Sequence, residues 1–264
     1  MRYPLKMDNQ INILEVNNLN VFYGKFQAVN NLSFSVARGE ILGLLGPNGA
    51  GKTSTLSAVE GLIKQQSGTV TVAGYDTLKN PLQARAAMGV QLQNTSFQPE
   101  LNVSNILKLY AGIYGVKLSN DKLKSLLEEI NLADALKKKF GQLSGGQQQR
   151  VSLLITTIHN PKLILLDEPT SGLDSQSRRQ LWTRIEAIRE RGSSVLLTTH
   201  SMEEAESVCD RINIIDEGRI IAAGTPQSLI DKYRENPEVI GVSRRGKITL
   251  EDVFIGLTGP NVRA

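Results

Sequence analysis

The stretch "GPNGAGKTS", Gly46 to Ser54, carries the most explicit chemistry in the chain. It fits the pattern G-x-x-x-x-G-K-[ST] throughout. Gly46, Gly49 and Gly51 let the backbone curl so that its N–H groups face phosphate oxygens, with Pro47, Asn48, Ala50 and Ser54 filling out the loop. Lys52 brings a point charge to the β and γ phosphates, and Thr53 offers a hydroxyl to Mg²⁺. The apolar run "EILGLLG" before the loop reads as a strand. "KTSTLSAVEGLI" after it reads as a helix whose positive end meets the same anion.

Three further places carry chemistry. The apolar run in "KLILLDEP" ends at two adjacent acids, and buried strand ends seldom carry such a pair without a cation. Asp167 is placed to hold Mg²⁺ through water, and Glu168 to orient or deprotonate an attacking water. His200 closes the strand-like "SSVLLTTH", within reach of a γ-phosphate and of the water that attacks it. In "LSGGQQQR" Ser144 is a good N-cap, and Gly145 and Gly146 permit close backbone approach, so a second anion device lies far from the first. The other histidine, His159 in "IHNPK", reads as a turn residue, and Cys209 as a small buried hydrophobe.

These residues need a scaffold that brings strand ends together. "INILEVNNLNVFYG" and "QAVNNLSFSVARGE" alternate apolar and polar residues and predict an antiparallel β-subdomain, joined by a further strand in "GTVTVAGYDT". From Phe97 to Ile158 the pattern is helical, with Leu123, Leu126, Leu127 and Ile130 on one face. Strand and helix then alternate again, ending in a hairpin that turns at Glu217–Gly218. The fold class is α/β: a P-loop NTPase core, mostly parallel sheet flanked by helices, with an N-terminal antiparallel β-subdomain and an inserted helical subdomain. The expected domain is 9–264, with core and β-subdomain over 9–92 and 159–225, the helical subdomain over 94–158, and a more polar, less patterned tail over 226–264. Such sheets bind ligands at the carboxyl ends of their strands.

Composition narrows the function classes. The net charge of +4 is small and spread out, so the clusters Lys137–Lys139, Arg178–Arg179 and Arg244–Arg245 read as solvated surface, and no nucleic-acid partner is expected. The single cysteine excludes an intrachain disulfide. No run of about 18 apolar residues occurs, so membrane work would need a second, membrane-spanning protein.

The combination of "GPNGAGKTS", "LSGGQQQR", "LILLDEPTSGLD" and His200, in this order, resembles the ATP-binding subunit of an ABC transporter over almost the whole chain. The phosphate loop alone would say only that the chain handles a nucleoside triphosphate. The resemblance implies ATP and Mg²⁺ as ligands and a second ATPase subunit, in a homodimer or heterodimer. In such a dimer Ser144, Gly145, Gly146 and Gln147 of one chain face the γ-phosphate held by Lys52 of the other. It further implies that Tyr23, in "VFYGKFQAV", stacks on adenine and that Asp174, in "SGLD", lies at the dimer interface. Gln93 matches the glutamine that links Mg²⁺ and the attacking water to the helical subdomain; Gln91 is close by, and spacing from Gly89 favours Gln93.

The implied setting is the cytoplasmic face of a membrane, reached through a separate integral-membrane permease. The segment 93–114 would form the docking surface, with Phe97 and Leu101 as apolar anchors. "KITLEDVFIGLTG" is similar to the ending of subunits that pair with ABC-2-type exporters of drugs, antibiotics, lipids or polysaccharides; as plain sequence it is an amphipathic helix with Leu250, Val253, Phe254 and Leu257 on one face. The competing reading is a soluble ABC-type ATPase that serves an assembly scaffold.

Overall fold

The computed structural model describes residues 11–91, 97–243 and 246–259. The first two alternating runs form a hairpin, β1 (Asn12–Tyr23) and β2 (Phe26–Ala37), closed where Tyr23 faces Phe26. Leu14 and Val16 are buried, then Leu19 and Val21. The register shifts between these pairs, and left-handed Asn18 (φ 48°) absorbs the slip. β3 (Ile41–Leu45) is apolar and buried at every position, as a strand covered on both faces must be. It feeds α1 (Lys52–Val59). β4 (Ser67–Val72) and β5 (Tyr75–Asp76) complete a four-stranded antiparallel sheet of order β2-β1-β4-β5.

After α2 (Pro81–Ala86) and β6 (Met88–Gln91) the chain becomes helical: α3 (Val103–Ile113), α4 (Asn120–Glu129) and α5 (Gly145–Thr157). These share a core that includes Ile106, Leu107, Leu123, Leu127, Phe140 and Val151. β7 (Leu163–Asp167), α6 (Ser175–Glu190), β8 (Ser194–Thr199), α7 (Met202–Val208), β9 (Arg211–Asp216) and β10 (Arg219–Gly224) restore the α/β alternation. The second sheet has the order β10-β9-β3-β8-β7-β6 and is parallel except for the β9–β10 hairpin.

Alternation along the central strands divides the apolar side chains between two layers. Leu42, Leu44, Leu165 and Leu196 face α1 and the antiparallel sheet. Ile41, Leu45, Ile164, Leu166, Val195 and Leu197 face α6 and α7, where Trp182 is also buried. The single tryptophan is thus a core residue. Cys209 is buried in the same layer.

One expectation needs correction. The tail is patterned structure: α8 (Pro226–Tyr233), α9 (Pro237–Val242) and α10 (Leu250–Thr258) bury Leu229, Val239, Leu250, Val253 and Phe254 in the second layer. α8 and α9 are too short for their period to stand out, whereas the amphipathic helix expected from Leu250 to Leu257 is present as α10. Their starts are nevertheless written locally, as Thr225 and Asn236 each before a proline, and as a Thr249–Asp252 capping box.

Phe97 and Leu101, the expected docking anchors, have contacts of their own in this chain. Both are partly buried against the helical core, and Phe97 makes edge-to-face contacts with Tyr110 (5.2 Å) and Phe140 (5.1 Å). The exposed apolar side chains nearby are Leu109, Ile113 and Tyr114. Phe97→Ala is therefore expected to destabilise the protein by about 2 kcal/mol, half-burial reducing the cost seen at full burial. A melting curve would show a midpoint lower by about 5 °C; an unchanged midpoint would contradict this packing.

Candidate active site

β3, β8 and β7 are neighbours and run the same way, so their carboxyl ends line up. The phosphate loop follows β3, Asp167 ends β7 with Glu168 next, and His200 follows β8. Residues far apart in sequence thus meet at one edge of the sheet.

The loop is held by close backbone packing. A Cβ on Gly51 would sit 2.4 Å from the Ala28 carbonyl oxygen, and Gly51 has φ 99°, so only glycine fits. A Cβ on Gly46 would sit 2.5 Å from the Ile215 carbonyl oxygen. Lys52 is buried, and its Nζ donates to the carbonyls of Gly46 (2.9 Å) and Pro47 (3.1 Å). Gly51 caps α1 without a side-chain acceptor, so no side chain competes for the first-turn N–H groups.

The charged groups stand close together. Lys52 Nζ is 3.4 Å from Glu168 Oε1, and His200 Nδ1 is 3.2 Å from Glu168 Oε2. The Thr53 hydroxyl lies 3.2 Å from Asp167 Oδ2. Glu168 has φ 46°, a left-handed backbone that is uncommon for a non-glycine residue and tends to mark functional positions. At the far end of α1, burial, and then the nearby Asp167, push the Glu60 carboxyl up to about 7, with Arg85 opposing. Asp167 thus adds its charge to a region that already disfavours a second carboxylate.

A cleft of about 440 Å³ opens over the loop. Tyr23 and Phe26 line one side of it, and Asn48, Gly49, Gly51, Lys52, Thr53, Ser54 and Glu168 the rest. A second cleft of about 210 Å³ lies on the other side of Glu168 and is lined by His200, Arg178 and Glu204 among others. Among the described residues no group of three or more His, Cys, Asp or Glu is arranged to hold a metal. One hydroxyl and one carboxylate, Thr53 and Asp167, do suit Mg²⁺, which keeps water and takes phosphate oxygens as its remaining ligands.

The other expected site residues lie elsewhere. Ser144 and Gly145 are exposed, and neither they nor Gly146 and Gln147 line the cleft over Lys52. Ser144 and Gln147 cap one another at the start of α5: Gln147 N donates to Ser144 Oγ (3.3 Å) and Ser144 N to Gln147 Oε1 (2.9 Å). Gly146 packs on Ser177, at the start of α6, where Asp174 is the N-cap. Backbone N–H and hydroxyl donors from Ser177, with Gln176, hold the exposed Asp174 carboxyl below its usual range. Gln93 lies outside the described residues. Gln91, the nearby alternative, ends β6 with its side chain buried. His159 is partly buried, stacks on Tyr114 (3.6 Å between ring centres) and bonds through Nε2 to the Met88 carbonyl (2.9 Å).

Comparison with known proteins decides the family. The family model described as ABC transporter matches residues 29–171. The chain is 38% identical over 222 residues to the linearmycin resistance ATP-binding protein LnrL of Bacillus subtilis (strain 168), covering 83% of this chain and 71% of that protein. It is 40% identical over 220 residues to the Nod factor export ATP-binding protein I of Burkholderia lata, covering 83% and 72%. The chain belongs to the ABC transporter family of ATP-binding proteins. A solved ATP-binding subunit of an ABC transporter superposes with a TM-score of 0.80 at 29% identity, covering 94% of this chain and 100% of that one.

This ABC subunit binds ATP and is an ATPase of the transport-coupled kind. Proteins of this family dimerise and work with membrane permeases. Among the described residues no helix is long and apolar enough to cross a membrane.

Sequence reading missed three residues of this region. Phe26 sits opposite Tyr23 in the hairpin, and only the pairing brings it to the cleft. Glu204 is fully buried and accepts from Trp182 Nε1 (3.2 Å); its position four residues after His200 was the available signal. Thr198 was hidden in an apolar strand, where a β-branched residue attracts no notice. Lys52→Ala is expected to weaken ATP binding by about tenfold or more, since a buried charge-assisted contact to phosphate is lost. Titration with a fluorescent ATP analogue checks this; unchanged affinity would contradict the phosphate loop as the binding element.

Proposed function

We propose that this subunit powers an exporter by clasping Mg–ATP between two ATPase chains and releasing it after hydrolysis. One observation supports this most: Ser144 and Gly145 are exposed, and the Ser144–Gly146 turn does not line the cleft that holds Lys52 in its own chain. An uncapped helix start with its phosphate loop, and a distant glycine-flanked helix start, make two halves of an anion site. Ser144, Gly145, Gly146 and Gln147 of one chain would meet the γ-phosphate over the partner's loop, with Asp174 at the interface.

The geometry and the family resemblance together support the following roles. Tyr23 stacks on the adenine, with Phe26 beside it. The N–H groups of Gly46–Ser54 and the ammonium of Lys52 hold the phosphates. Thr53 and Asp167 would hold Mg²⁺, with Gln93 as a further ligand; the ion, when bound, neutralises charge on the β and γ phosphates. The γ-phosphate competes with Glu168 for Lys52, which draws the ammonium away from Oε1 and leaves that oxygen to accept from water. Glu168 takes the proton as the water oxygen bonds to phosphorus and the bond to the ADP oxygen breaks. His200, already 3.2 Å from Glu168, fixes the direction of that carboxylate and holds the water in line.

Loss of the γ-phosphate removes the anion that both chains grip, so the dimer population shifts toward open. The export direction rests on the names of the relatives, linearmycin resistance and Nod factor export, and on the "LEDVFIGLTG" ending. Partners would be a second ATPase subunit and a membrane permease that holds the subunit at the cytoplasmic face of the membrane.

Glu168→Gln keeps the shape but removes the proton acceptor. Turnover is expected to fall by about a hundredfold or more while ATP still binds. Size-exclusion chromatography with ATP and Mg²⁺ should then show a stable dimer; a variant that stays monomeric would contradict the clasp. Ser144→Arg should leave ATP binding by the isolated chain intact and abolish dimer formation. Loss of binding by the monomer would mean that the turn acts within its own chain.

A further inference from the structure

We propose that Thr198 is a positioning residue of the ATPase site, its one hydroxyl setting the relative orientation of Asp167 and Glu168. The proposal rests on the reading above, in which these two acids serve Mg²⁺ and water.

The parallel register places Thr198 directly opposite Asp167. Leu165 and Leu196 lie in the layer under α1, and alternation turns Asp167 and Thr198 to that same face. Thr198 is fully buried. Its Oγ1 donates to Asp167 Oδ1 at 2.5 Å. The same oxygen accepts from the backbone N–H of Glu168 at 3.0 Å, which also lies 3.2 Å from the Thr198 carbonyl. A hydroxyl has one proton and two lone pairs, so both contacts can form together.

The two contacts act on different degrees of freedom. The bond to Oδ1, with the Thr53 contact to Oδ2, fixes the plane of the Asp167 carboxylate from two sides. The bond from Glu168 N–H falls on the residue with φ 46°, a backbone that persists only where its surroundings hold it. That φ aims the Glu168 side chain at His200 and Lys52. Without the hydroxyl, Asp167 can turn about its side-chain bonds. Glu168 loses an acceptor that stabilises its left-handed form, and its carboxylate is free to leave the line between Lys52 and His200. Chemistry then suffers more than nucleotide binding, because the phosphate loop keeps its own contacts.

The test uses the purified full chain with Mg–ATP, measuring kcat, KM for ATP, the Mg²⁺ concentration for half-maximal rate, and the melting midpoint. Thr198→Val keeps the shape and removes the hydroxyl. It should lower kcat by about tenfold or more, leave KM within about twofold, and raise the Mg²⁺ requirement. Thr198→Ser restores the hydroxyl and should recover kcat to within about threefold of the parent. A valine variant with parental kcat and Mg²⁺ dependence overturns the proposal. So does a serine variant as impaired as the valine one, which would assign the effect to the lost methyl group. Should Thr198→Val not fold, Thr198→Cys, a weak donor of similar size, is measured in its place. A kcat below that of the serine variant is expected, and parental kcat and Mg²⁺ dependence overturn the proposal. Glu168→Gln separates the two failures. If it turns over at the parental rate, the catalytic reading itself is wrong; if it is inactive while Thr198→Val is normal, only the role of Thr198 is wrong.

Discussion

The parallel pairing of β7 with β8, from Leu163 opposite Ser194 to Asp167 opposite Thr198, sets the position of the charged groups in this site. Because β8 also pairs with β3, a single strand lies between the phosphate loop and the two acids. A slip of one residue in either pairing would turn Asp167 away from Thr53 and send a leucine toward the phosphate. The apolar alternation forbids such a slip, since it would exchange the contents of the two buried layers. The register that packs the core is therefore the register that assembles the chemistry.

Charge within the site is balanced locally. Lys52 is buried among carbonyls and beside Glu168, and a buried cation needs such company. The ion pair is only moderately close, so a phosphate can compete for the ammonium without first breaking a tight contact. Glu168 stands at the wall between two clefts, with Lys52 on one side and His200 on the other. Its side chain has little room to wander, and the left-handed backbone beneath it does part of that aiming.

Much of this was legible in the residues. The loop at Gly46–Ser54 sits between an apolar strand and a helix, and the acids end a second apolar strand, so local pattern alone located the groups that meet at the sheet edge. The resemblance to ABC subunits added Tyr23, Asp174 and the partner-facing role of the Ser144 turn. Other features were hidden for physical reasons. Phe97 finds its partners Tyr110 and Phe140 only through tertiary packing, so its core contacts do not show in the polar segment around it. The first two tail helices, α8 and α9, are too brief to display a period. Thr198 reads as an ordinary strand former, because a hydroxyl bonded to a buried carboxylate is indistinguishable in sequence from one bonded to water.

The side chain of Gln149, on the helix that begins at Ser144, donates to the carbonyl of Pro169 at 2.7 Å, one residue beyond Glu168. The Ser144 turn and the acid proposed to activate water, both of the same polypeptide, are thereby mechanically joined. A shift of the backbone after Glu168 would be transmitted to the surface proposed to meet a second subunit. A pair built from such subunits would have two reaction centres that sense one another, each reporting its progress through the other's roof.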